Sequence, residues 1–151
     1  MLFRNLTPRR RERHGLASAL IGEIVAALEA VETNCASRDL QAADSAACTA
    51  TFDFADFELP RLAVYEASVD KLSLFHAPLP RELSYFYTRL ANLPQRLRAL
   101  KPPASMSAED IKARTATAVG EIDRMMTLGE DLLRSMRVFV SRRGPSSISR
   151  S

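Results

Sequence analysis

Two histidines, His14 and His76, and two cysteines, Cys35 and Cys48, are the residues in this chain best suited to bind a metal or relay a proton. Zinc sites draw their ligands from close pairs a few residues apart, whereas these four stand 21, 13 and 28 positions apart. No metal site and no cofactor are expected from that spacing. His76 lies in "SLFHAPLP", between a helix stop and two prolines, and reads as a corner residue rather than an acid or base. The chain has no Glu-x-x-His pair of the kind that di-iron bundles use, no G-x-S-x-G, no phosphate-cradling glycine loop and no H-E-x-x-H. An enzyme is therefore not expected. Tyr65, Tyr85, Phe86 and Tyr87 resemble a ligand pocket in composition, but aromatic residues at helical spacing usually fill a core.

The chemistry that the residue types do support is anion binding by arginine. Of 21 basic residues, three are lysine (Lys71, Lys101, Lys112) and the rest arginine, a bias that reads as a GC-rich coding sequence. Its placement carries more. Residues 1–14 have a net charge of +4 and residues 134–151 of +5, which leaves −6 for residues 15–133 in a chain of net +3. Cations at a helix N-terminus oppose its dipole, yet Arg9, Arg10, Arg11 and Arg13 crowd the first turns of the first expected helix. If that helix and the last one run antiparallel, these four meet Arg142 and Arg143 at one pole. Such a pole suits an anionic membrane surface or, as the alternative, nucleic acid phosphates. Nucleic acid is the weaker reading, because no recognition helix or interleaved aromatics accompany the arginines.

The elements that position these residues are helical throughout. With 151 residues, 46% hydrophobic, and only 5 glycines, the chain suits one folded all-α domain. Thr7-Pro8 reads as a helix start. Ala17, Ile21, Ile24, Leu28, Val31 and Cys35 then make a helical stripe, widened by Leu16, Leu20 and Ala27. Ser18, Gly22 and Glu29 fall on the opposite face. The apolar run Leu16–Leu28 is short and interrupted by Glu23, so no membrane span is expected, and no signal-peptide cleavage site follows it. Residence is expected in the cytoplasm, and the two cysteines are read as small apolar residues rather than as a disulfide. Residues 33–57 read as a long connection, in which "LQAADSAACTA" forms a turn or two of helix or Phe52, Phe54 and Phe57 pin the segment to the core.

Pro60 opens a second helix carrying Leu62, Tyr65, Val69 and Leu72, which stops before Pro78. Pro80 opens a third with Leu83, Phe86, Leu90, Leu93, Leu97 and Leu100 on one stripe and a kink at Pro94; "KPPAS" ends it. In the fourth, Ser107 and Asp110 resemble a capping box. Ile111, Thr115, Ala118, Ile122, Met125, Gly129, Leu132, Met136 and Phe139 then repeat by fours and threes, as in a coiled coil. Glu121, Asp123, Glu130 and Asp131 are assigned, with neighbouring arginines, to the solvated face of that helix. Ile111, Ala118, Ile122, Met125, Gly129 and Leu132 form a seam with small residues on it, open to the first helix or to a second copy in a homodimer.

The stretches "RRRERHGLASALIGEI" and "YEASVDKLSLFHAPLPRELSYFYTRL" resemble a group of small helical proteins of Proteobacteria. In that group an N-terminal membrane segment runs into an Arg-rich stretch and an amphipathic helix, followed by a hairpin with Leu-Pro and Phe-Tyr. No activity is known for the group, so the resemblance assigns no catalytic residue. It implies that the N-terminal arginines are a cytoplasmic, membrane-proximal flank. The sequence departs from the group by lacking the membrane segment before its arginines, which leaves two options, an internal or truncated start or a soluble relative. Taken together, the expected protein has a flexible 1–7, a single helical domain over 8–143 and a disordered tail over 144–151. The domain is an antiparallel four-helix bundle, with long first and last helices and a Pro-delimited hairpin between them. Its expected role is non-enzymatic, an interaction or scaffold domain beside a membrane.

Overall fold

The computed structural model describes residues 6–36, 57–101 and 103–142. Every element among them is helical. These are α1 (Leu6–Ala36), α2 (Ala63–Glu66), a 3₁₀ helix (Val69–Leu74), α3 (Leu79–Ala99) and α4 (Ala108–Ser141). The residues 1–5, the 37–56 connection with Cys48, Phe52 and Phe54, Pro102, Arg143 and the 144–151 tail lie outside the described residues.

The helix α4, 34 residues and about 51 Å at 1.5 Å per residue, is the central rod, with α1 and α3 both packed along it. Its start is local chemistry: Ser107 Oγ accepts from the Asp110 N–H at 3.2 Å and donates to Asp110 Oδ2 at 2.6 Å. The serine half of the expected capping box is thus present, the Asp110 carboxylate taking the Ser107 hydroxyl, with Glu109 and Asp110 in the first turn, where the dipole favours anions. Ala118, Ile122, Met125, Gly129, Leu132 and Met136 are buried along the expected stripe.

The direction of packing follows from which positions meet. A Cβ placed on Gly129 would touch Leu28 of α1 and Phe86 of α3, while Arg13 and His14 lie on Phe139. On the other side Arg89 and Arg96 reach Glu121. Numbers rise along α1 and α3 as they fall along α4, so α4 is antiparallel to both. At Gly129 all three helices meet.

The first helix buries Ala17, Leu20, Ile24, Ala27, Leu28 and Val31, while Leu16, Ile21 and Cys35 are only partly covered. The buried face is thus the expected stripe turned slightly toward Leu20 and Ala27. Leu6 and Thr7 are already helical, so Thr7 lies inside the helix and is not its cap. By length and composition Pro8–Cys35 is also long and apolar enough to cross a membrane, contrary to the reading from the uninterrupted run. Leu20, Ile21, Ile24, Val25 and Leu28 around Glu23 hold the average up; the core helix of a bundle meets the same measure.

The second expected helix is broken. Four residues of α2 give way at Ser68 to the 3₁₀ helix. Leu72 of the 3₁₀ helix and Phe75 just after it are buried, while Val69 is exposed. Phe75 is extended, the Ala77–Pro78 peptide is cis, and α3 starts with Pro80 in its first turn. The helix runs on through Pro94, burying Leu83, Phe86, Tyr87, Leu90, Leu93 and Leu97. Of the expected phenylalanine pins, Phe57 is buried. Asn34 fastens that segment to the end of α1 by donating to the Glu58 carbonyl at 2.8 Å.

Candidate functional site

The antiparallel pairing of α1 with α4 decides where the arginines go. Arg13 and Phe139 are in contact; Arg10 lies three residues before one and Arg142 three after the other. Both therefore extend about 4.5 Å further along the same axis, at 1.5 Å per residue. Arg9, Arg10, Arg11 and Arg142 are exposed at this end. Arg143 lies outside the described residues.

Arg13 departs from its neighbours. Its guanidinium sits 5.2 Å from the centre of the Phe139 ring, Nη1 is 3.1 Å from His76 Nε2, and Nε is buried without a hydrogen-bond partner. Arginine has only donors, so His76 Nε2 accepts. The ring of Phe75 meets Phe139 edge-on at 5.4 Å, and His14 lies 5.9 Å from it. The corner at His76 thus clamps Arg13 against α4, and Lys71 adds an ion pair to Glu12 at 3.0 Å. That bond and the Glu12 charge raise the Lys71 ammonium above its ordinary range. Arg13 belongs to the buried phase of α1, four before Ala17 and seven before Leu20, a signal present in the sequence.

The interior holds a second polar cluster. Glu23 reaches from α1 to accept the N–H groups of Val64 at 2.6 Å and Tyr65 at 3.0 Å, capping α2 from outside its own sequence. Tyr65 stacks on Tyr87 at 3.9 Å. The Tyr87 hydroxyl is buried beside Glu23; burial first, and the Glu23 charge second, push its ionisation far above the ordinary tyrosine range. The aromatic group is core, as its spacing suggests.

Between α3 and α4, Glu121 is only 11% exposed at its side chain and receives Arg96 at 2.9 Å, Arg124 at 3.3 Å and Arg89 at 3.8 Å. Its assignment to a solvated face is corrected: two of the three arginines come from the other helix. Asp123, Glu130 and Asp131 are exposed. The seam residues Ala118, Ile122, Met125, Gly129 and Leu132 are buried among the chain's own helices, with Ile111 partly covered. No group of three His, Cys, Asp or Glu side chains suited to a metal occurs among the described residues. No protein-family model, curated protein or solved structure matches the chain, so the functional reading rests on this geometry.

Proposed function

We propose that the protein is a non-enzymatic interaction domain that lies on an anionic surface through its basic pole, the surface being the cytoplasmic face of a membrane. What supports the reading is the contact of Arg13 and His14 with Phe139, which carries the exposed Arg9, Arg10 and Arg11 to the same end as Arg142. Within this reading the helices belong to an antiparallel four-helix bundle whose second member is the broken α2 and 3₁₀ segment. The clamp on Arg13 removes one guanidinium from the binding surface and uses it to hold the pole together. Self-association requires a face other than the seam from Ala118 to Leu132, which α1 and α3 fill.

Flotation with vesicles tests the proposal. Surface arginines contribute about 1 kcal/mol each on anionic lipid, so Arg9→Gln, Arg10→Gln and Arg11→Gln together weaken partitioning roughly a hundredfold at low salt. Neutral phosphatidylcholine vesicles bind neither form. Equal flotation of parent and triple variant, or equal binding to neutral lipid, overturns the reading. A salt titration against duplex DNA is the second arm: tight, steeply salt-dependent binding there without lipid binding transfers the pole to nucleic acid.

A further inference from the structure

We propose that Arg89, Arg96 and Arg124, gathered around Glu121, form a second anion site at the α3–α4 face, specific for a phosphate monoester dianion. Arg89 and Arg96 are seven residues apart and so share a face of α3; Glu121 and Arg124 are three apart on α4. Antiparallel packing brings the carboxylate between the two α3 arginines, and the three guanidinium groups meet it at 3.8, 2.9 and 3.3 Å. The local charge is then +2. A phosphate monoester near neutral pH carries close to −2, which a carboxylate or a phosphodiester does not match.

Four features separate this cluster from an ordinary surface ion pair. Its carboxylate is 11% exposed while its arginines are 31%, 43% and 72% exposed, so the counter-charge is inside and the donors are reachable from solvent. Each guanidinium has five N–H donors. Arg96 and Arg124 each give a hydrogen bond to one Glu121 oxygen, and Arg89 gives one to the Tyr85 hydroxyl at 3.1 Å. The geometry is also paid for in advance, because side chains already ordered by Glu121 and by the Arg89–Tyr85 stacking at 5.5 Å lose less entropy on binding. The sequence deepens the positive field: no Asp or Glu occurs between Glu82 and Glu109, while Arg89, Arg96, Arg98 and Lys101 all fall there. The alternative, a network that only ties α3 to α4, predicts no phosphate response.

The test titrates the full chain with inorganic phosphate at constant ionic strength, following arginine side-chain NMR signals and the thermal midpoint. A saturable response at Arg89, Arg96 and Arg124 is expected. Arg124→Gln leaves the two α3 pairs to Glu121 in place and so folds; it weakens phosphate binding about tenfold, the effect of one charge-assisted contact. The triple variant at Arg9, Arg10 and Arg11 responds like the parent. No saturable response, an undiminished one in Arg124→Gln, or loss in the triple variant overturns the site. Two probes distinguish sources: glycerol 3-phosphate for a soluble ligand, and vesicles containing phosphatidate against phosphatidylserine for a lipid headgroup. Preference for either monoester supports the proposal; equal binding of monoester and diester defeats it.

Discussion

Replacing Gly129 by alanine sets two effects of known sign against each other. A Cβ there lies 2.6 and 2.9 Å from the Leu28 methyl carbons and 3.0 Å from Cε2 of Phe86, where carbon contacts are comfortable at about 3.5–4.0 Å. Leu28 is 6% exposed and Phe86 fully buried, so the displaced methyl groups have little space to enter. Overpacking of this kind costs about 1–3 kcal/mol, while alanine gains about 1 kcal/mol over glycine inside a helix. Gly129→Ala should therefore destabilise by about 1 kcal/mol. Leu28→Ala alone should cost about 2–5 kcal/mol through its cavity. With both Leu28 methyl carbons gone, the 3.0 Å approach to Phe86 is the remaining tight contact; its ring can shift into the space that Leu28 leaves, so Gly129→Ala recovers its helical gain and becomes stabilising by about 1 kcal/mol. The coupling between the two sites is then about 2 kcal/mol. Urea unfolding followed by circular dichroism on the four proteins reads it directly. If Gly129→Ala stabilises the parent, or has the same sign in both backgrounds, the close approach of α1 and α3 to α4 at this position is wrong.

Glu23→Ala should cost about 2 kcal/mol, since two N–H groups lose a charged acceptor; a change under about 0.5 kcal/mol in denaturant unfolding would remove the cap from the account. Tyr87 holds its proton in the folded chain at pH values where the unfolded chain releases it. Its contribution to stability is accordingly constant below the unfolded tyrosine range near pH 10. It falls as pH rises above that, by up to about 1.4 kcal/mol per unit. Tyr87→Phe should flatten that alkaline decline; unfolding midpoints from pH 9 to 11 that run parallel in the two proteins would refute it.

What was legible in the sequence was local or periodic. The cap at Ser107 and Asp110 is three residues wide, and the α4 stripe repeats often enough to fix its buried face. The stripe of α3 follows from its proline start. The broken second helix was not legible, because Leu62, Tyr65, Val69 and Leu72 fit a helical period that the chain abandons at Ser68. Its α2 is capped by Glu23, forty-one residues from Val64, and no local pattern reports that. Glu121 was misassigned for the same reason: Arg124 is a local neighbour, whereas Arg89 and Arg96 arrive from another helix. A finer reading of phase was available, since Arg89 and Arg96 both fall three residues after stripe positions, Phe86 and Leu93. The grouping of Arg13 with Arg9, Arg10 and Arg11 followed composition where helical phase already separated it.

Glu23 also decides how the apolar length of α1 is used. A charged side chain near the centre of a bilayer costs about 3 kcal/mol or more, and Glu23 stands in the middle of the stretch from Pro8 to Cys35 that passes for a span. In the fold the same carboxylate accepts two backbone N–H groups and approaches Tyr87. One placement leaves the charge unpaired in hydrocarbon and strips the cap from α2; the other satisfies both. Moving α1 into a bilayer would also expose the faces of α4 and α3 that Leu20, Ile24 and Leu28 now cover. The residue that makes α1 a poor span is thus the one that fixes it to the rest of the chain, which is why the proposed membrane contact is assigned to the arginines at the pole and not to α1.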